Sequence, residues 1–311
     1  MDEFEIIETI LKPLSKKGAP AFSLENDTAI YSPPIGFDLV ITKDAMIEGV
    51  HFLKDQKPAN IAKRLLRSNL SDLAATGAKP VGYLLALMGG KLDEDWLRRF
   101  AGGLKEDQGE FGISLFGGDT TSGAETLTLS LTALGIVKKG EGLTRMGASP
   151  KDLIFVSGAI GEAALGLKSL KGDIEKDDFL ISRFETPSPR LTLGQNLIGL
   201  ASACIDISDG LVGDLEKLAK ASNVGAEISL DKIPTPDVDQ ESLLGLITAG
   251  DDYELLFTVP ESCRVEVAAL SKKLNLPLTA IGEITSQAEV VVFDKNKAKV
   301  VLDKTGYCHF K

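Results

Sequence analysis

Apolar positions along the chain recur at two periods, one near 3.6 residues and one of two. In residues 2–16, Phe4, Ile7, Ile10, Leu11 and Leu14 follow the first and predict a short amphipathic helix. Residues 23–31 read as a loop entering a strand, and Leu39–Thr42 as a strand running into Lys43 and Asp44. Glu48-Gly49-Val50-His51-Phe52 is a polar turn. From about Ala59 a helix is predicted in which Leu66, Leu70, Leu73 and Ala74 share one face, with Ser68, Asn69 and Asp72 roughly opposite. Gly77 is placed to close that helix in the left-handed conformation. Val81–Met88 is an apolar strand, Glu94–Leu104 a helix, and Ile113–Phe116 a strand that delivers Gly117-Gly118-Asp119-Thr120-Thr121. Leu127, Leu129, Leu131 and Ala133 alternate with polar residues, the mark of a half-buried strand.

A polar, Gly-rich stretch at 138–150 divides the pattern, so we expect domains at residues 1–138 and 150–311. The second half opens on the strand Leu153–Ser157 and the tight turn Gly158-Ala159-Ile160-Gly161, which feeds a helix through Leu167. Thr186-Pro187-Ser188-Pro189-Arg190 opens another helix. Cys204-Ile205-Asp206-Ile207-Ser208-Asp209-Gly210 is a strand running into the helix Leu211–Ala221. A polar turn at 250–254 enters a strand, and the helix Glu261–Leu274 and strands near 277–282, 288–293 and 298–302 follow. Strands and helices alternate in both halves, which predicts a mixed α/β fold.

Composition narrows the function classes. With 43% hydrophobic residues in 311, the chain can bury two ordinary cores. Its net charge of −11 and lack of a basic cluster argue against nucleic acid as a partner. The longest apolar run, around Val81–Met88, is too short to span a bilayer, and no cationic apolar leader is present. Three widely spaced cysteines without a C-x-x-C suit a reducing compartment. A soluble cytoplasmic protein is therefore expected, with no membrane partner. Histidine occurs only at 51 and 309, so the chemistry is expected to rest on carboxylates.

Six aspartates share a situation. Asp27, Asp44, Asp119, Asp206 and Asp209 stand beside strand ends, and Asp72 near a helix end. A carboxylate in the last turn of a helix sits at the wrong end of the macrodipole, a cost that a bound cation relieves. Any one Asp in a loop is most often a cap or turn residue. Six in comparable places, with Gly-Gly-Asp-Thr and Asp-x-Ser-Asp-Gly among them, point instead to Mg2+ and a polyphosphate, since Mg2+ takes a few carboxylates plus waters and phosphate oxygens. An acidic protein can hold a more acidic ligand in this way. The chain has no P-loop and no His-Arg-Asp with Asp-Phe-Gly, which removes two familiar nucleotide sites.

The set Glu48-Gly49-Val50-His51-Phe52, Asn69-Leu70-Ser71-Asp72-Leu73-Ala74-Ala75, Gly117-Gly118-Asp119-Thr120, Leu143-Thr144-Arg145-x-Gly147-Ala148, Asp206-Ile207-Ser208-Asp209-Gly210 and Asp252-Tyr253-Glu254-Leu255 resembles, in order and spacing, the thiamine-monophosphate kinases. Their superfamily includes aminoimidazole ribonucleotide synthetase and selenophosphate synthetase. The resemblance implies a two-domain aminoimidazole ribonucleotide synthetase-like fold, in which the N-terminal sheet pairs across a homodimer and the C-terminal domain is α/β. It implies transfer of a phosphoryl group from ATP to thiamine monophosphate, assisted by several Mg2+. It implies that Asp27, Thr42, Asp44, Asp72, Asp119, Asp206 and Asp209 hold metal. Gly118, Asp119, Arg145 and Ser208 would then meet ATP, and His51, Asp251 and Tyr307 thiamine monophosphate.

The chain departs from the family pattern in three places. The usual Gly-x-Gly-Asp-Asp reads Ser23-Leu24-Glu25-Asn26-Asp27, with its glycines lost and Asn26 in place of the first Asp. The usual Ser-Thr-Asp reads Thr42-Lys43-Asp44. The departures at Asn26 and Lys43 lead us to expect one metal ion fewer than in relatives with Thr at the second position. Two rival readings stand beside this one: a non-catalytic binder of ATP and thiamine phosphates, and another ATP-dependent enzyme of the same superfamily.

Overall fold

Residues 2–89, 93–123 and 125–309 are described by the computed structural model. They divide into two units, Met1–Leu73 with Ala78–Gly140, and Ala74–Gly77 with Glu141–Lys311.

The first unit opens on α1 (Glu3–Ile6), capped by the Asp2 carboxylate, which accepts the Glu5 N–H at 2.9 Å. The amphipathic helix expected over 2–16 is broken here. The chain widens into a π-turn at Ile7–Leu11 and tightens into a 3-10 turn at Lys12–Leu14, where Pro13 offers no N–H to continue the ladder. The strand expected to follow residue 23 does not form. Phe22–Leu24 is a tight turn with φ values of 51°, 57° and 57°, and no strand begins before residue 37. Ser23, which stands where the family pattern has glycine, holds a left-handed backbone at φ 57°.

The remaining elements of this unit are β1 (Phe37–Ile47), α2 (Pro58–Ala75), β2 (Lys79–Met88), α3 (Glu94–Phe111), β3 (Leu115–Thr121) and β4 (Thr128–Lys138). The strands form a sheet in the order β1-β4-β2-β3, with β4 antiparallel to both neighbours and β2 parallel to β3. Leu65, Leu66, Leu70 and Leu73 of α2 are wholly buried. Helix α2 lies against one face of the sheet: a side chain at Gly135 of β4 would come within 3.1 Å of Leu73. Its end is a Schellman turn. Ala78 donates to the Leu73 carbonyl at 2.8 Å and Gly77 to Ala74 at 2.9 Å, with Gly77 at φ 73° as its sequence position predicts.

The second unit is built on β5 (Leu153–Ser157), α4 (Glu162–Lys171), α5 (Asp178–Glu185), α6 (Leu191–Leu197), β6 (Ala203–Asp206), α7 (Leu211–Ser222), β7 (Gly225–Ser229), α8 (Gln240–Ile247), β8 (Leu255–Val259), α9 (Arg264–Leu274), β9 (Leu278–Thr285) and β10 (Val290–Phe293). Its sheet runs β10-β7-β9-β5-β8-β6. Strands β5 and β8 are buried along their whole length, and Ile154, Val156, Ile205, Leu211, Leu215, Leu256 and Ile281 sit in one core. The strand expected near 298–302 reduces to a single bridge between Phe293 and Lys299. Both units mix helix and strand, so the mixed α/β expectation holds.

Candidate functional site

The motif residues fall into two groups, one in each unit. In the first, β1 alternates. Thr42 and Asp44 share a face with the buried Met46, and Lys43 points the other way. Thr42 Oγ1 donates a short hydrogen bond to Asp72 Oδ2, which ties β1 to the last turn of α2. On the opposite face, Lys43 Nζ donates to Ser130 Oγ of β4 at 2.8 Å, and that hydroxyl donates to the Asp44 carbonyl at 3.1 Å. Asn26, Asp27, Lys43, Gly118 and Asp119 line one cavity of about 690 Å³. The Asn26 amide donates to the Thr28 carbonyl at 2.8 Å, so it closes its own turn. Gly118 has a packing reason for its identity: a side chain there would lie 1.9 Å from the Leu85 carbonyl oxygen of β2.

His51 sits half-buried in the turn after β1. Its Nδ1 accepts the Ile47 N–H at 3.1 Å, which leaves Nε2 as the protonated, donating nitrogen of the neutral ring. Arg64, fully buried on α2, donates from Nε to the His51 carbonyl at 3.2 Å. The sequence offered no sign of that brace, because an Arg in a helix reads as a solvated residue.

In the second unit, Asp206 ends β6, and two loops close on each other beyond it. Ile207 donates to the Glu254 carbonyl at 2.8 Å, Tyr253 to Ile207 at 2.8 Å, and Asp251 to Ser208 at 2.9 Å. Gly250 permits this approach, since a side chain there would sit 2.3 Å from the Ser208 carbonyl oxygen. Asp206 is buried, Ser208, Asp209 and Asp251 are half-buried, and Arg145 is exposed on the segment whose Thr144 carbonyl accepts the Cys204 N–H at 2.8 Å.

The chain's end returns to this loop. Tyr307 donates from its backbone to the Asp209 carbonyl at 2.9 Å, and Gly213 donates to Thr305 at 2.8 Å. Residues 305–307 therefore dock on the Asp209–Gly213 turn of their own unit. If the tail belongs to the substrate site that the family resemblance implies, deletion of residues 306–311 should raise the KM for thiamine monophosphate by roughly tenfold or more, about 1.4 kcal/mol. An unchanged KM in steady-state assays would remove the tail from the site.

Two acidic residues of the Asp252-Tyr253-Glu254 motif have structural work that the sequence did not reveal. Asp252 Oδ2 accepts the Gly161 N–H at 2.8 Å and Oδ1 the Ala163 N–H at 3.3 Å, so this carboxyl caps α4. Burial pushes its pKa up to about 8, against those two N–H donors. Glu254, wholly buried, accepts from Arg183 at 2.7 Å, from Arg190 Nε at 2.7 Å and from Ser157 Oγ. Asp214, equally enclosed, accepts from the backbone of Ser208, Asp209 and Gly210. Only an acidic residue in the first turn of a predicted helix hinted at it.

Residues 25–137 match the N-terminal domain of AIR synthase related proteins, and residues 149–295 their C-terminal domain. The chain is 40% identical over 296 residues to the thiamine-monophosphate kinase of Escherichia coli (strain K12), covering 92% of this chain and 90% of that one. The chain belongs to the thiamine-monophosphate kinase family. Its fold agrees with solved members. A thiamine-monophosphate kinase from Stenotrophomonas maltophilia K279a superposes with a TM-score of 0.81 at 37% identity, over 86% of this chain and 89% of that one. AaThiL complexed with AMPPCP and TMP superposes at 0.75 and 28% identity, over 99% and 97%.

The donor set suits the magnesium that the family resemblance implies. Among the described residues no three His, Cys, Asp or Glu side chains converge as a ready-made metal cage. Mg2+ does not demand one, because it keeps waters and is held through one or two carboxylates plus substrate phosphates. Asp27 and Asp119 reach one cavity, and Asp72 is paired with the Thr42 hydroxyl. All of these are hard oxygen donors.

Proposed function

We propose that this chain transfers the γ-phosphoryl group of ATP directly to the phosphate of thiamine monophosphate, giving thiamine diphosphate and ADP. The reading is carried by the full-length likeness to AaThiL complexed with AMPPCP, a methylene analogue of ATP, and TMP. It is supported by curated thiamine-monophosphate kinases at 36–40% identity over 92–100% of the chain.

The acceptor is a phosphate oxygen already ionised near neutral pH, so no side chain has to remove a proton. The barrier is repulsion between two anions and the charge on the moving phosphoryl group. Bound Mg2+ would supply charge neutralisation there. Asp27, Asp44, Asp72, Asp119, Asp206 and Asp209, with the Thr42 hydroxyl, would hold it. Lys43 adds a fixed ammonium to the cavity that Asp27 and Asp119 line, and so stands in for part of that charge. Gly118, Asp119, Arg145 and Ser208 would meet ATP. His51, through its Nε2–H, would position thiamine monophosphate together with Asp251 and Tyr307.

The test is ADP release measured with and without thiamine monophosphate and Mg2+. Release that needs both supports the reading. Tight binding of both ligands without ADP would make the chain a binder, and ADP release with some other acceptor would make it a different enzyme. None of the three cysteines forms a disulfide, which suits the reducing cytoplasm as the place of reaction. Among the described residues no helix is long and apolar enough to cross a membrane.

The same reading includes a homodimer. The sheet face turned away from α2 carries Leu39, Ile41 and Ile47 of β1 beside the cavity-lining Lys43, with Ile41 61% exposed. Alternating side chains place these apolar groups in one patch that a second copy would cover. Light scattering at micromolar concentration should give twice the 33.1 kDa chain mass, and a monomer mass would refute the pairing.

A further inference from the structure

The turn after β6 is anchored from within. Three successive N–H groups, those of Ser208, Asp209 and Gly210, converge on Asp214 Oδ2 at 3.0, 3.0 and 3.2 Å. Such a backbone nest at the start of a helix is a natural seat for a phosphate oxygen. Here a carboxylate of this chain fills it, and the Asp214 side chain is only 1% exposed. A ligand phosphate therefore cannot use those donors without expelling a buried side chain. The other oxygen of Asp214 accepts from Lys217 at 2.7 Å, and the same ammonium reaches Asp209 Oδ2 at 2.5 Å. Lys217 and Asp209 are both part-exposed, at 41% and 39%, so the bridge is open to solvent on one side.

We propose that Lys217 is a built-in counter-ion for Asp209: it holds the carboxylate in place while no cation is bound, and a divalent ion at Asp209 competes with the ammonium for that charge. This rests on the reading that Asp209 is a metal ligand. The order of strengths follows from charge. A part-exposed single ammonium is a weak partner, and a doubly charged ion at the same carboxylate wins the exchange. Asp214 stays behind as the positioning residue. It keeps its three N–H bonds, so the turn holds its shape as Lys217 swings away. Lys217 thus spares an acidic loop from self-repulsion and sets a threshold for metal entry.

The exchange is read by Mn2+ binding to the whole chain, followed by electron paramagnetic resonance without nucleotide or thiamine phosphate. Lys217→Met should tighten one Mn2+ site roughly three- to tenfold, and Lys217→Arg should leave it near wild type. In an Asp209→Asn background the same Lys217→Met change should have no effect. Lys217→Gln serves as a second neutral variant should Met disturb the surface. If Asp209→Asn loses a Mn2+ ion but Lys217→Met and Lys217→Gln leave its affinity unchanged or weaker, Asp209 is a ligand and the counter-ion role is overturned. If neither Asp209→Asn nor Lys217→Met alters Mn2+ binding, the metal reading of Asp209 fails, and the proposal with it.

Discussion

Asp72→Asn should lower kcat by about three orders of magnitude or more while the protein melts at the same temperature or slightly higher. Both halves of this expectation come from where Asp72 sits. It lies in the last turn of α2, three residues before the helix ends at Ala75, and accepts from Thr42 Oγ1. An amide has nearly the same shape and keeps an oxygen to accept that hydroxyl, so the link between β1 and α2 survives. Removing a negative charge from a helix C-terminus removes an unfavourable dipole interaction of ~0.3–1 kcal/mol. Activity moves the other way. A carboxylate lost from the shell around transferring phosphates is worth on the order of 4 kcal/mol, which is a thousandfold in rate. Thr42→Val breaks the same link and takes only a neutral oxygen from the proposed metal shell, leaving the Asp72 charge in place. It should lose far less turnover. Near-normal turnover by Asp72→Asn at limiting Mg2+ would sink the metal assignment.

Elements whose apolar residues face one way were legible in the sequence. Helix α2 announced itself through Leu66, Leu70 and Leu73, and its stop through Gly77, because spacing and backbone conformation are local properties. The alternation of β4 was as plain. What misled was short-range pattern without a partner. The spacing from Phe4 to Leu14 suggests one helix, but the segment runs on as a π-turn and a 3-10 turn, where Pro13 leaves the ladder without a donor. Strand-like residues at 298–302 make only one bridge, Phe293 to Lys299, on the outer edge of β10.

The candidate site divides along the same line. Aspartates at strand ends can be located from sequence, but which of them are structural cannot. Asp252 and Glu254 carry the acidic look of ligands, and the fold spends both on packing: one caps α4 from 91 residues away in the chain, and the other meets Arg183 and Arg190. Asp214 reads as an ordinary first-turn acid until the turn at 208–210 is seen to wrap around it. Partners distant in sequence decide these roles.

That division gives the second large effect. Glu254→Gln should lower the Tm by roughly 10 °C or more, corresponding to about 3–5 kcal/mol for breaking a buried ion cluster by removing one partner. Glu254 has no exposed side-chain surface, while Arg183 and Arg190 are 11% and 20% exposed. With the carboxylate gone, two guanidinium groups remain enclosed, and Arg183 keeps a bond from Nε to Glu162 at 2.8 Å. Hydrogen bonds from a neutral amide cannot replace that charge, and one of its two polar ends is itself a donor facing donors. The site feels the damage through the backbone, because the Glu254 carbonyl accepts the Ile207 N–H beside Asp206. Loss of activity in Glu254→Gln should therefore follow loss of fold: measured well below its Tm, the variant should keep more of its kcat than Asp72→Asn does. An exposed pair provides the contrast. Glu261 and Arg264 form an equally short bond at 2.8 Å in open solvent, and Glu261→Gln should leave the melting curve where it is. Equal Tm shifts for the two variants would mean that burial does not set the strength of the Glu254 cluster.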